Sequence, residues 1–122
     1  MQTGDPRPPF RVLCVDDNRD VADSTVLLLR TVGFEARACY GGVAALELIQ
    51  TFRPSICFID LNMPGMNGDE LAHQLRATPG WRPLLLVAVT AMTDSESRAH
   101  IQDAGFDLHF IKPVDPEKLR LM

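Results

Sequence analysis

The chain predicts an α/β fold, a doubly wound parallel sheet of five strands with a helix after each, and three observations carry that prediction. Short apolar runs alternate five times with longer segments of helical character. The runs Val12-Leu13-Cys14-Val15, Ile56-Cys57-Phe58-Ile59 and Leu84-Leu85-Leu86-Val87-Ala88-Val89 are apolar without alternation, as in strands covered by helices on both faces. Glycines, prolines and capping residues fall at the boundaries between the two kinds of segment.

Met1–Pro9 holds Pro6, Pro8, Pro9 and Gly4 and almost no apolar side chain, so residues 1–9 are expected to be a flexible tail or linker. Strand 1 is expected over Phe10–Val15. Helix 1 follows over Asp20–Thr31, with Asn18 able to cap it and Val21, Ala22, Thr25, Leu28, Leu29 and Val32 forming one apolar stripe that should pack on the sheet. Gly33 suits the position just past that helix. Strand 2, Phe34–Ala38, alternates in polarity and reads as a more exposed strand. Helix 2 (Gly42–Phe52), Pro54, strand 3 (Ser55–Ile59) and helix 3 (Gly68–Ala77) come next. Pro83 precedes strand 4 (Leu84–Thr90), Asp94 can cap helix 4 (Asp94–Ala104), and Gly105 follows it. Strand 5 (Leu108–Ile111) and helix 5 (Asp115–Leu121) complete a domain over residues 10–122. Helix 5 has only about two turns before Met122, so it is expected to be cut short, as in a piece excised from a larger protein.

A chain of 122 residues, 46% hydrophobic and 23% charged, suits one globular domain with a real core. A net charge of -4 argues against direct nucleic-acid binding, which depends on clustered Lys and Arg. No apolar stretch approaches the roughly 20 residues that span a bilayer, and the first nine lack a signal-peptide core, so a cytoplasmic protein without a membrane partner is expected. Cys14, Cys39 and Cys57 are odd in number and contain no CxxC pair; they read as small buried hydrophobes.

Parallel α/β sheets collect ligand sites at the carboxyl ends of their strands. There this sequence places Asp16 and Asp17 after strand 1, Asp60 after strand 3, Thr90 after strand 4 and Lys112 after strand 5. Each has a plain structural reading alone, as a cap, a turn residue, a strand-end residue or a solvated charge. Together they gather three carboxylates, a hydroxyl and an ammonium on one rim. Carboxylates so close repel unless a cation or protons intervene. With only oxygen donors nearby in sequence, Mg2+ is expected, with Mn2+ as a substitute, and Mg2+ in turn favours a phosphorylated state or ligand.

With these residues in view, the sequence from about Phe10 onward resembles the receiver domain of two-component response regulators, which also occurs in hybrid histidine kinases. The likeness is carried by Val15-Asp16-Asp17-Asn18, by Asp60-Leu61-Asn62-Met63-Pro64-Gly65-Met66-Asn67-Gly68, by Thr90-Ala91 and by Lys112-Pro113. It implies a flavodoxin-like strand order 2-1-3-4-5 and a phosphorelay function, with Asp60 accepting a phosphoryl group from a histidine kinase or histidine phosphotransfer protein. It also implies that Asp17 ligates Mg2+ directly, Asp16 through water, and Asn62 through its backbone carbonyl, with no organic cofactor. Thr90 and Lys112 would contact the phosphoryl oxygens. Helix 4, strand 5 and helix 5 would then change shape for an effector domain or target protein. Such a receiver catalyses its own phosphorylation and dephosphorylation and is not a turnover enzyme.

Two positions depart from the usual pattern or tune it. His109 stands where the family usually has Tyr or Phe as a rotating switch. It is expected either to serve as a two-position ring, sensitive to pH near neutrality, or to be an exposed strand histidine. Asn62 and Met92 occupy positions that modulate hydrolysis of the acyl phosphate; apolar Met92 cannot orient water, so slow autodephosphorylation is expected. His73 and His100 read as surface helix residues, and Met63 and Met66 as apolar cover. Three competing readings remain at this stage. A haloacid-dehalogenase-type phosphohydrolase would want an acid where Asn62 stands. A flavin carrier would be repelled by Asp16-Asp17, and an unphosphorylated receiver-like interaction module would have no need of all five rim residues.

Overall fold

In the computed structural model, which describes residues 10–61, 63, 65–77, 84–90, 101 and 103–111, the apolar runs form one parallel sheet. Its strands are β1 (Arg11–Val15), β2 (Glu35–Cys39), β3 (Ile56–Asp60), β4 (Leu85–Thr90) and β5 (Leu108–Ile111), and the helices between them include α1 (Arg19–Thr31), α2 (Gly42–Phe52) and α3 (Gly68–Ala77). The order is β2-β1-β3-β4-β5, as expected. The chain runs from β1 out to β2 and then crosses back to β3 on the other side of β1, which opens a crevice at their carboxyl ends. Expected helix 5 and Met1–Pro9 lie outside the described residues; of the expected Asp94–Ala104 helix, Ile101, Asp103 and Ala104 are described, the first two helical and Ala104 already in a turn.

The two-residue period of the strands divides the core into two layers. Leu13, Val15, Cys57, Ile59, Leu86 and Ala88 pack with α2 and α3, through Ile49, Phe52, Leu71 and Leu75. Val12, Cys14, Phe58, Val87 and Val89 pack on the other face with Val26 and Leu29 of α1. Central strands thus bury both rows of side chains, which is why they are apolar without alternation. Edge strand β2 buries Ala36 and Cys39 and exposes Arg37, whose guanidinium lies 4.8 Å from the Phe52 ring centroid.

Helix α1 departs from the expected stripe. Its buried residues are Ala22, Val26 and Leu29, whereas Leu28 is 38% exposed. The contact line is therefore rotated from the one read in sequence, because three- and four-residue steps fit two adjacent rows and only the sheet decides between them. The displaced row of Val21, Thr25 and Leu28 lines a groove of about 520 Å3 shared with Phe58, Asp16 and Asp60. Gly33 adopts φ 103 just past α1, as its position predicts. Helix α2 ends instead on Arg53 at φ 52, a left-handed residue that no glycine announces.

At the amino end of the sheet, Arg76 at the close of α3 donates to the carbonyls of Gly105 and Leu84 and pairs with Asp107. Asp107 also accepts from the Leu86 amide through its carboxylate and donates its own amide to the Leu86 carbonyl. This knot ties α3 to the starts of β4 and β5.

All three cysteines are free and buried. Desolvation holds the Cys14 thiol up to about 12 and Cys39 up to about 11, from an ordinary 9.0, and pushes Cys57 up as well. The folded state thus binds these protons more tightly than the unfolded chain. Their contribution to stability is complete below pH 9 and is lost as pH climbs toward 11–12. Native protein at pH 8 is expected to react with a thiol reagent only as fast as it unfolds, and its denaturation midpoint to fall above pH 9. Rapid native-state labelling would contradict that burial. No helix among the described residues is long and apolar enough to cross a membrane.

Candidate functional site

Strand β1 delivers Asp16 and Asp17 to the crevice. The Asp16 amide continues the ladder to β2 by donating to the Cys39 carbonyl at 3.2 Å. Its carboxylate turns back to accept from the Asn18 amide at 3.0 Å, while the Asn18 side chain caps α1 by accepting from the Val21 amide. This nest of local bonds fixes the turn that carries Asp17. Asp16 is buried and Asp17 exposed, a pairing that suits one anchored and one accessible oxygen donor.

Asp60 is the last residue of β3, paired in register with Val89, and is 6% exposed. Beyond it the chain folds back tightly: the Gly68 amide donates to the Leu61 carbonyl at 3.2 Å, and Gly65 takes φ 83. Gly68 leaves no room for a side chain, since a Cβ there would lie 2.6 Å from the Asp60 carbonyl oxygen and 2.9 Å from the Leu61 Cα. Asn67 caps α3 by accepting from the Glu70 amide. An Asn directly before the helix is the sequence signal for that cap, whereas nothing local announces the Gly68 contact. Met63 is buried and Met66 half-buried against the core, the apolar cover expected of them.

One carboxylate oxygen each from Asp16, Asp17 and Asp60 lies within 4.8 Å of the others. Three carboxylates at that separation could hold a metal ion, and an all-oxygen donor set is the kind that suits a hard cation. Thr90, at the end of neighbouring β4, is fully buried. His109 lies on β5 opposite Ala88 and is half-buried. His73 is exposed on α3. Lys112, Asn62, Met92 and His100 lie outside the described residues.

A doubly wound sheet with three carboxylates gathered at its strand switch point defines a class: α/β proteins with a candidate cation site at the carboxyl ends of their strands. The match to known proteins narrows this, because residues 12–122 fit the family model of the response regulator receiver domain, and the chain belongs to that family. It is 34% identical over 109 residues to the DNA-binding response regulator MtrA of Mycolicibacterium paratuberculosis and 37% identical over 111 residues to the response regulator MprA of a Mycobacterium species. Those alignments cover 89% and 91% of this chain but 47% of either relative, so the chain spans about half the length of the curated relatives it matches. Among solved structures it resembles a putative response regulator from Chloroflexus aurantiacus, with TM-score 0.86, 31% identity and 93% coverage of each chain. The chemotaxis protein CheY4 of Vibrio cholerae superposes with TM-score 0.86 at 26% identity, over 93% of this chain and 95% of that one. The hydrolase, flavin-carrier and interaction-module readings are not favoured by these likenesses.

Proposed function

We propose that this receiver accepts a phosphoryl group on Asp60 from a phosphohistidine of a kinase or phosphotransfer protein. The observation that carries the reading is the approach of Asp16, Asp17 and Asp60 within 4.8 Å at the switch point of the sheet. An Asp60 oxygen attacks phosphorus as the P–N bond to the donor imidazole breaks, the nitrogen keeping the electron pair. A carboxylate is a weak nucleophile, so the rate depends on in-line positioning and on neutralising the phosphoryl oxygens. Burial at the end of β3 and the tight turn onto Gly68 hold Asp60 in place. Asp16, Asp17 and the Asn62 carbonyl would hold Mg2+, which supplies positive charge to those oxygens. Lys112 adds a second charge and Thr90 a hydroxyl donor.

Inward movement of Thr90 and of the segment after it shifts a two-state equilibrium, because the phosphoryl group binds one arrangement better than the other. The surface formed by residues 94–104, β5 and residues 115–121 then presents the change to an effector, with half-buried His109 as its two-position ring. Met92 offers no hydrogen bond to a hydrolytic water, which makes the acyl phosphate long-lived. The setting is cytoplasmic.

Incubation with acetyl phosphate tests this. One phosphoryl group is expected, mapped to Asp60 and dependent on Mg2+, with a changed His109 environment by NMR. Catalytic turnover of a generic phosphate ester, or labelling elsewhere, would overturn the reading.

A further inference from the structure

We propose that Tyr40 holds the Arg19 guanidinium away from the strand-end carboxylates and so keeps their cation site open. The inference rests on the metal reading of Asp16, Asp17 and Asp60 above. Arg19 opens α1 two residues beyond Asp17. A guanidinium is permanently charged and matches a carboxylate with two parallel hydrogen bonds, so an unrestrained arginine at this point would compete with a cation for the cluster.

The fold gives Arg19 another partner. Cys39, whose carbonyl takes the Asp16 amide, brings the next residue, Tyr40, beside the β1–α1 turn. The Arg19 guanidinium carbon sits 4.1 Å from the centroid of the Tyr40 ring, a cation–π stack. The ring is itself fixed, because the Tyr40 hydroxyl donates to Asp23 Oδ1 at 2.7 Å. Asp23 lies four residues beyond Arg19, one turn along the same helix. That bond also keeps the phenol proton in place, with the Tyr40 pKa raised above its ordinary value chiefly by Asp23. Three side chains beside the β1–α1 turn thus form a brace that engages the arginine on an aromatic face.

Calorimetric titration of the phosphate-free protein with Mg2+ tests the brace independently of phosphorylation. Tyr40→Ala is expected to weaken Mg2+ binding roughly two- to fivefold, the range that matches an exposed cation–π contact. Tyr40→Leu, which keeps bulk without a π face, should do the same, and Tyr40→Phe should stay within about twofold of wild type. The decisive variant is Tyr40→Ala with Arg19→Ala, in which wild-type affinity returns. Unchanged binding in Tyr40→Ala, or a double variant as weak as the single one, would overturn the proposal. Wild-type Mg2+ binding in Asp17→Asn would instead overturn the metal reading beneath it.

Discussion

Asp60→Asn is expected to abolish phosphoryl transfer and, in the absence of Mg2+, to make the protein more stable. The first effect follows from the nucleophile: an amide oxygen does not form the acyl phosphate. The second follows from charge. Asp60 is buried, with an oxygen within 4.8 Å of oxygens of both Asp16 and Asp17. Neutralising it removes two like-charge contacts at once. Discounted for screening around exposed Asp17, relief of about 1–2 kcal/mol is a reasonable scale. Thermal denaturation in a chelator should therefore show a higher melting temperature for the variant, and added Mg2+ should stabilise wild type more than the variant, reducing the gap. A lower melting temperature in chelator would mean that the other contacts of the Asp60 carboxylate outweigh its repulsion by Asp16 and Asp17.

The second large effect is expected from Gly68→Ala. Helix propensity favours alanine by at most about 1 kcal/mol, the interior value, and by less at this first residue of α3. Packing opposes it more strongly, since the new methyl would sit 2.6 Å from the Asp60 carbonyl oxygen and 2.9 Å from the Leu61 Cα, both backbone atoms. Overpacking against backbone that cannot yield costs about 2–3 kcal/mol, so the net change is destabilising. Relief by shifting the backbone would move Asp60, and phosphorylation by acetyl phosphate should slow by roughly tenfold or more. Gly42→Ala provides the contrast: its Cβ would meet the Met66 side chain, whose sulfur lies at 2.6 Å and can swing aside. Urea denaturation of the two variants separates these cases; equal losses would show that the Gly68 contact relaxes without disturbing Asp60.

Much of this was legible in the sequence for identifiable reasons. The central strands are covered on both faces, so their runs are apolar throughout and mark themselves. Asp60 follows such a run directly, and chain order alone put it on the same rim as Asp16, Asp17 and Thr90. The rotation of α1 was not legible, because Val21, Thr25 and Leu28 fit a helical stripe as well as Ala22, Val26 and Leu29 do. Nor was the end of α2 on Arg53, where an ordinary side chain accepts a conformation that usually calls for glycine. The contact of Gly68 with Asp60 and of Tyr40 with Arg19 depends on how loops fold back across the sheet, and neither local spacing nor residue type carries that information.

The knot of Arg76 and Asp107 lies at the far end of the sheet from Asp60 and binds the starts of β4 and β5 to α3. Strand β4 is also held along both edges, by β3 from Leu85 to Val89 and by β5 from Val87 to Thr90. A pull on Thr90, at the tip of β4, then has little freedom to slide the strand lengthwise. Under the proposed function, a displacement of Thr90 would therefore be felt first at Ile111, its partner in register on β5.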